Sequence, residues 1–451
     1  MEQGRKGPAI GIDLGTAYTR VALFDGRSFQ MIPDDHGDPA MPSYVAFTDS
    51  GVLVGAAAKN QAMQNPTNTI FDVIRLIGRR YSHPSIRNDI RLWPFKVIAS
   101  ENDSLLVEIS WEGKLWQFTP VEICSMILTQ IKVNTEKNLG VTIADAVITV
   151  PVCFNYEQRK AIKEAGMIAG FNVMQLVSAS SASALFYSSD RQSKISSLLT
   201  NIFARSISKS EVEDYNLFVF DLGAGTLDVS LITLQEDVCI VRATAGNVHL
   251  GGSDFDNNSV FDLLRRNGHA DISNSFIAIN ELREVCEAAK VALSTGSTIE
   301  HNLKFQFSIR AEKFNELNKE LFVKCIDTID TCLRDAKMGA GIVDEVILFG
   351  GSTRIPLLQA QIKQYFNGKE LKISNHLETA VAFGAALQVS FLCTRRYERA
   401  HCLSLLDATS FSLGMQSSQG LIYVCFHSER YNYSHQNRKD MSLLQPDNIS
   451  C

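Results

Sequence analysis

The sequence predicts an α/β fold of two lobes, with duplicated mixed sheets facing each other across a cleft. Three observations lead there. Strand-like and helix-like periodicities alternate along most of the chain, the order of elements in the first half returns in the second, and Asp-Leu-Gly occurs twice, at 13–15 and 221–223, each time between two apolar runs.

In the first half IGIDLG, RVALFDG and YVAFT carry the β-branched and aromatic residues of short strands. VEICSMILTQIKVNTEKN follows with apolar residues at helical spacing, and DAVITVPV is a continuous apolar run. The second half repeats the series: LFVFDLG, LDVSLITL and CIVRATAGN as strands, ELREVCEAAKVALS as a helix, and DEVILFGGS as the last strand. We therefore expect a first lobe over 1–187 and a second over 216–395. Between them lies a serine-rich inserted loop over 188–215, where eight serines fall from Ser188 to Ser210. A linker-like stretch spans 396–414, and 415–451 hold too few periodic apolar positions for another domain, so they are expected to form a disordered tail.

At 451 residues, 45% hydrophobic and 20% charged, the chain has the make-up of a soluble globular protein with two or three domains. A net charge of −6 argues against nucleic acid or an anionic membrane as the main partner. Ten cysteines without a Cys-x-x-Cys pair fit the thiols of a reducing compartment. No run is long and apolar enough to span a bilayer, and MEQGRKGPAI leaves no room for the apolar core of a signal peptide. We expect a cytoplasmic monomer.

A strand that ends in Asp, turns through Gly and returns as a second strand forms a hairpin whose tip offers unobstructed backbone N–H groups. Such a tip suits a phosphate oxygen. In the first copy Asp13, Gly15 and Thr16 supply a carboxylate, an open backbone and a hydroxyl; in the second, Asp221, Gly223, Gly225, Thr226 and Asp228 supply the same chemistry. Two tips facing each other would grip a polyphosphate from both sides while their carboxylates hold a hydrated magnesium ion. One copy alone would be an ordinary hairpin; it is the pairing that favours a phosphate site. Neither a Walker loop nor a Gly-x-Gly-x-x-Gly fingerprint occurs in its strand-to-helix context.

Three further stretches join this constellation. In FGGSTRIP, at 349–356, Gly350 and Gly351 permit close approach of a flat ring, while Ser352 and Arg354 offer a donor and a stackable guanidinium. Glu287, Lys290 and Ser294 recur at intervals of three and four and so share a helix face, which as a plain alternative would be an exposed salt-bridged stripe. HLGGSDFD, at 249–256, puts Gly251 and Gly252 at a turn beside carboxylates.

With these motifs in this order, the chain closely resembles the nucleotide-binding domain of the 70-kDa heat-shock chaperones, members of the actin and sugar-kinase ATPase superfamily. IGIDLGT, NPTNTIFD, RLIGRRY, AVITVPV, FDLGAGTLDVS, HLGGSDFDN, FGGSTRIP, FNGKEL and AVAFGAA follow the family's wording between Ala9 and Gln388. The resemblance implies a two-lobed actin-like ATPase fold that holds ATP or ADP with magnesium. It implies that Asp13, Gly15, Thr16, Tyr18, Gly223, Gly225 and Thr226 surround the phosphates, and that Asp221 and Asp228 organise magnesium and the attacking water. Gly251, Gly252, Glu287, Lys290, Ser294, Gly350, Gly351, Ser352, Arg354 and Glu378 would line the rest of the nucleotide. Asp13, Asp221 and Asp228 are thus the candidate catalytic residues, and Asp13 and Asp221 the candidate metal ligands. Pro151 and Arg159 match the family's pivot between lobes. J-domain co-chaperones and nucleotide-exchange factors are the partners the resemblance implies.

The chain departs from the family where chemistry is expected. The family's Asn-Glu-Pro-Thr is Ser178, Ala179, Ser180 and Ser181 here, and the lysine that follows its Asp-Ala is Ile74. Losing one preorganised charge at a developing phosphoryl anion typically costs ~10²–10³ in rate, so hydrolysis is expected to be impaired. Ala17 replaces a threonine in the first tip, Ala224 the middle glycine of the second, where glycine serves a positive φ or the closest backbone approach, and Glu378 stands for an aspartate. CLSLLDATSFSLG, at 402–414, is similar to the family's interdomain linker, but Cys402 and Ser404 interrupt its acidic start and leucine run and predict weak docking. The peptide-binding β-sandwich and lid are expected to be missing.

The reading these features favour is an ATP-binding, chaperone-like protein with impaired hydrolysis, serving as a nucleotide-sensing or partner-binding module. An active ATP-hydrolysing chaperone or co-chaperone is the alternative, separable by single-turnover measurement. A sugar kinase is disfavoured by LLDATSFSLG, and a protein that has lost nucleotide would show no ATP-dependent rise in melting temperature.

Overall fold

Two mixed sheets with matching strand orders frame the molecule. The computed structural model describes residues 7–189, 214–235, 238–266, 276–294, 300–302, 306–308, 310–373, 376, 378–393, 404–408, 413–416 and 422–426. The first sheet runs Asn172–Ser178, Asp145–Val150, Ile10–Leu14, Tyr18–Phe24, Phe29–Ile32; its first three strands are parallel and the last two return antiparallel. The second runs Leu371–Ile373, Glu345–Phe349, Tyr215–Leu222, Leu227–Gln235, Val238–Asn247 with the same senses. The duplication seen in the sequence therefore holds strand for strand. It places the two Asp-Leu-Gly copies at equivalent corners, Asp13 pairing with Arg20 across the first hairpin and Asp221 with Asp228 across the second.

The central strands are apolar without alternation because both faces are covered: every residue of Asp145–Val150 is buried. Helix Pro120–Leu139 covers one face of the first sheet. It opens on a reciprocal cap between Thr119 and Glu122 and stops at Gly140, whose φ of 67° suits only glycine well. Asn155 and Gln158 cap helix Tyr156–Ile168 in the same reciprocal way. Helices Gly252–Arg266, Phe276–Ser294, Lys319–Asp335 and Pro356–Tyr365 belong to the second half.

Helix Ala380–Leu392 is apolar on all sides, and each residue from Ala380 to Ser390 is buried. It packs with Val147 and Val177 on one side and with Leu217, Val219 and Ile347 on the other, so it lies between the two sheets. The helix over 179–189 accompanies it there. They cross at Gly384, where a Cβ would run into the carbonyl of Ala182.

The inserted loop, the linker and the tail each differ from the sequence reading. Ser188 and Ser189 complete the helix over 179–189, with Ser188 buried and its hydroxyl donating to Ala184 O at 2.7 Å. Strand Tyr215–Leu222 begins where the inserted loop was expected to end; the stretch 190–213 lies outside the described residues. Docking of the linker-like segment, expected to be weak, takes place: Ser404–Leu406 pairs in parallel with Val238–Ile240. The ladder uses backbone groups, and Ser404 is exposed, so its side chain does not oppose pairing. Finally, 415–451 is not wholly without structure, since Leu413–Gln416 and Ile422–Phe426 pair as antiparallel strands, the second rich in β-branched and aromatic residues. Cys402 and residues 427–451 lie outside the described residues.

Candidate functional site

The two hairpin tips meet. A Cβ on Gly225 would lie 2.6 Å from Thr16 Oγ1, so only a bare backbone lets the second tip come this close to the first. The second turn is closed by Gly223 N–H donating to Thr226 O at 3.0 Å. Gly252 and Ser253 N–H donate to the carbonyls of Gly223 and Ala224 at 2.9 and 2.8 Å, and Ser352 Oγ donates to Gly223 O at 2.9 Å. Gly251 is pressed against the Ala224 carbonyl. Gly350 has a φ of 81°, and a Cβ there would lie 2.7 Å from Asp221 Oδ1. Four motifs distant in sequence thus converge on one corner. Ala224 is not among the residues with positive φ, so the glycine-to-alanine change introduces no backbone strain.

Burial pushes the carboxyl of Asp13 up; Arg20 and a 3.3 Å hydrogen bond from Thr149 Oγ1 act in the opposite sense. Asp221 is raised further, by burial and then by the charges of Asp228 and Asp13, with Arg20 opposing. Burial lifts Asp228 to about 7 despite an N–H from Val152 at 3.1 Å and the nearby Arg159. Burial raises all three carboxyls, and carboxylate repulsion adds to the rise at Asp221, so an added cation would stabilise the charged forms. Among the described residues no three His, Cys, Asp or Glu side chains form a ready metal cage.

Of the residues assigned to the nucleoside, Lys290 and Ser352 join the same corner through Gly252 and Gly223. Lys290 Nζ donates to Asp256 Oδ2 at 2.5 Å and to Gly252 O at 3.0 Å, and Ser294 Oγ donates one turn back to Lys290 O. Glu287 is exposed on that helix. Arg354 lies 3.6 Å from Glu378, with Gly351 beside the same carboxylate. Tyr18 accepts a 2.9 Å hydrogen bond from Lys59, and Gly15 O accepts one from Ser43 at 2.8 Å.

The sequence reading missed two arginines. Arg20 Nη2 donates to Glu378 Oε2 at 2.9 Å; the available signal was its place directly across the hairpin from Asp13. Arg75, 3% exposed, forks onto Asp254 at 3.0 and 2.7 Å and reaches Gly225 O at 3.1 Å, linking the first lobe to the second tip. Its neighbour Ile74 is buried in the core of the first lobe, and Ala179 packs against a small apolar cluster, so neither presents charge to the cleft. The serines beside Ala179 turn elsewhere: Ser181 Oγ donates to Asp407 of the docked linker at 3.0 Å, and Ser180 shares a 2.7 Å hydrogen bond with Ser230. Pro151 precedes Val152, whose carbonyl receives Arg159 at 3.4 Å.

The sequence pattern of the family described as Hsp70 protein matches residues 9–444. The chain belongs to the Hsp70 family. It is 40% identical to heat shock 70 kDa protein 2 of Paracoccidioides lutzii over 92% of this chain and 62% of the relative. It is also 40% identical to heat shock cognate 70 kDa protein 3 of Dictyostelium discoideum, over 92% and 65%. The same identity holds for a ribosome-associated molecular chaperone of Eremothecium gossypii, over 94% and 68%. This Hsp70 chain therefore spans 62–68% of the length of these relatives. The match includes the family's nucleotide-binding domain, with its actin-like α/β architecture, and continues beyond the Gln388 limit of the motifs. Among the described residues no helix of this Hsp70 chain is long and apolar enough to cross a membrane.

Proposed function

We propose that the cleft binds ATP and ADP with magnesium and hydrolyses ATP much more slowly than relatives that keep the lysine and the glutamate. The observation that carries this reading is the meeting of the two tips, Thr16 against Gly225, with Asp13 close enough to Asp221 to raise its pKa. Backbone N–H groups at both tips take phosphate oxygens, Thr16 and Thr226 add hydroxyls, and Asp13 and Asp221 hold the magnesium with its water. Magnesium neutralises the phosphates when bound. Lys290, Glu287 and Ser294 face the ribose and base from one side, and Arg354 closes over the base from the other.

The attacking water is where this chain falls short. Asp228 stands near neutral pH between its two forms and can take a proton, yet Ile74 brings no charge to steady the developing phosphoryl group and Ala179 no carboxylate to orient the water. In the cell this makes the chain a nucleotide-sensing module of the cytoplasm, answering to J-domain proteins and exchange factors.

Single-turnover hydrolysis, compared with a relative that keeps both residues, tests the reading. A rate lower by ~10²-fold or more is expected; equal rates would overturn it. Ala179→Glu should recover part of the deficit.

A further inference from the structure

Arg20 is a cation beside Asp13 that the mechanism above does not use. It faces Asp13 as its direct partner across the first hairpin, so the two side chains leave the same face of the sheet about 5 Å apart at Cβ. Its side chain is 14% exposed, enough for contact with a ligand and too little for full hydration. Among the described residues Glu378 Oε2 is its one hydrogen-bond acceptor, through Nη2, which leaves most of the guanidinium's N–H donors uncommitted. Glu378 in turn lies 3.6 Å from Arg354, the residue assigned to the base. Both Asp13 and Asp221 feel the Arg20 charge as a stabilising influence on their ionised forms.

The other cations of this region are spent. Arg75 is bound to Asp254 and Gly225 O, Lys290 to Asp256 and Gly252 O, Arg159 to the carbonyls of Val152 and Phe154, and Lys59 to Tyr18. A polyphosphate entering beside three buried carboxylates brings more negative charge to a place that already repels it. Ile74 contributes none of the missing positive charge.

We infer that Arg20 is a resident cation of the nucleotide site, donating to phosphate oxygens and offsetting Asp13 and Asp221, so that nucleotide binding depends less on added metal than a cleft without it would. This inference rests on the nucleotide reading above and deepens it. Glu378, which accepts from Nη2, competes with the phosphate oxygens for the guanidinium.

The test is the ratio of ADP dissociation constants in EDTA and in millimolar magnesium chloride, measured by calorimetry on the full 451-residue chain. The unaltered chain is expected to show a small ratio. Arg20→Gln should enlarge that ratio about tenfold or more, the loss of one favourable charge interaction of ordinary size, and Arg20→Lys should restore much of it. Without nucleotide, magnesium should raise the melting temperature of Arg20→Gln more than that of the unaltered chain. An unchanged ratio in Arg20→Gln would overturn the inference and mark Arg20 as a surface tie to Glu378 only. Should Arg20→Gln fail to fold, Glu378→Gln keeps the test open: the released guanidinium should lower the ratio, and a higher ratio would count against the inference. Absence of ADP binding by the unaltered chain in both buffers would instead sink the nucleotide reading itself.

Discussion

Asp228 shows how far burial can work against a side chain that the sequence makes look ordinary. Its folded pKa of about 7 stands above the 3.8 of an unperturbed aspartate. Between those values the folded state binds more protons than the unfolded state, so stability falls as pH rises from about 4 to about 7 and the penalty is complete above that. Asp228→Asn keeps an oxygen for the Val152 N–H and removes the penalty. The variant should melt several degrees above the unaltered chain at pH 8 without ligand, and the gap should close toward pH 4. At this scale the candidate site was largely legible, because Asp-Leu-Gly names its own carboxylate and its own turn. Arg20 was not: its partner is set by cross-strand register, and register depends on where the turn falls.

Helix Ala380–Leu392 carries the argument at the scale of elements. Helix propensity alone favours Gly384→Ala by about 1 kcal/mol. The crossing opposes it, since the new methyl would meet the backbone of Ala182, which cannot rotate aside. Steric cost should win, with a net loss of roughly 1–3 kcal/mol in urea unfolding; a stabilised variant would show that the two helices can separate freely. The motif AVAFGAA marked the helix in the sequence, but the reason for its glycine appeared only with the helix over 179–189 in place. The linker strand makes the complementary point. Its side chains suggested weak docking, whereas pairing with Val238–Ile240 draws on the backbone, to which the sequence pattern is blind.

Across the whole molecule, the contacts between lobes decide how the cleft behaves. Arg75 ties the first lobe to Asp254 and the second tip, and Arg283 reaches back from helix Phe276–Ser294 to Leu92 O at 2.6 Å while resting over Phe71. Breaking a buried pair by removing one partner costs about 3–5 kcal/mol, mostly from the charge left behind. Arg75→Ala should therefore loosen the contact between the lobes and speed ADP release about tenfold or more in stopped-flow displacement, with a lower melting temperature. Unchanged release would mean that closure is held elsewhere.

The sequence by itself determined the duplicated order of strands and helices and the two Asp-Leu-Gly corners, because local periodicity and turn chemistry are written in neighbouring residues. Tertiary structure alone decided that Thr16 touches Gly225, that Arg20 sits between Asp13 and Glu378, and that Arg75 closes the lobes. Those contacts join residues up to 358 positions apart. Their strength comes from burial and mutual distance, which belong to the folded chain and to no segment of it.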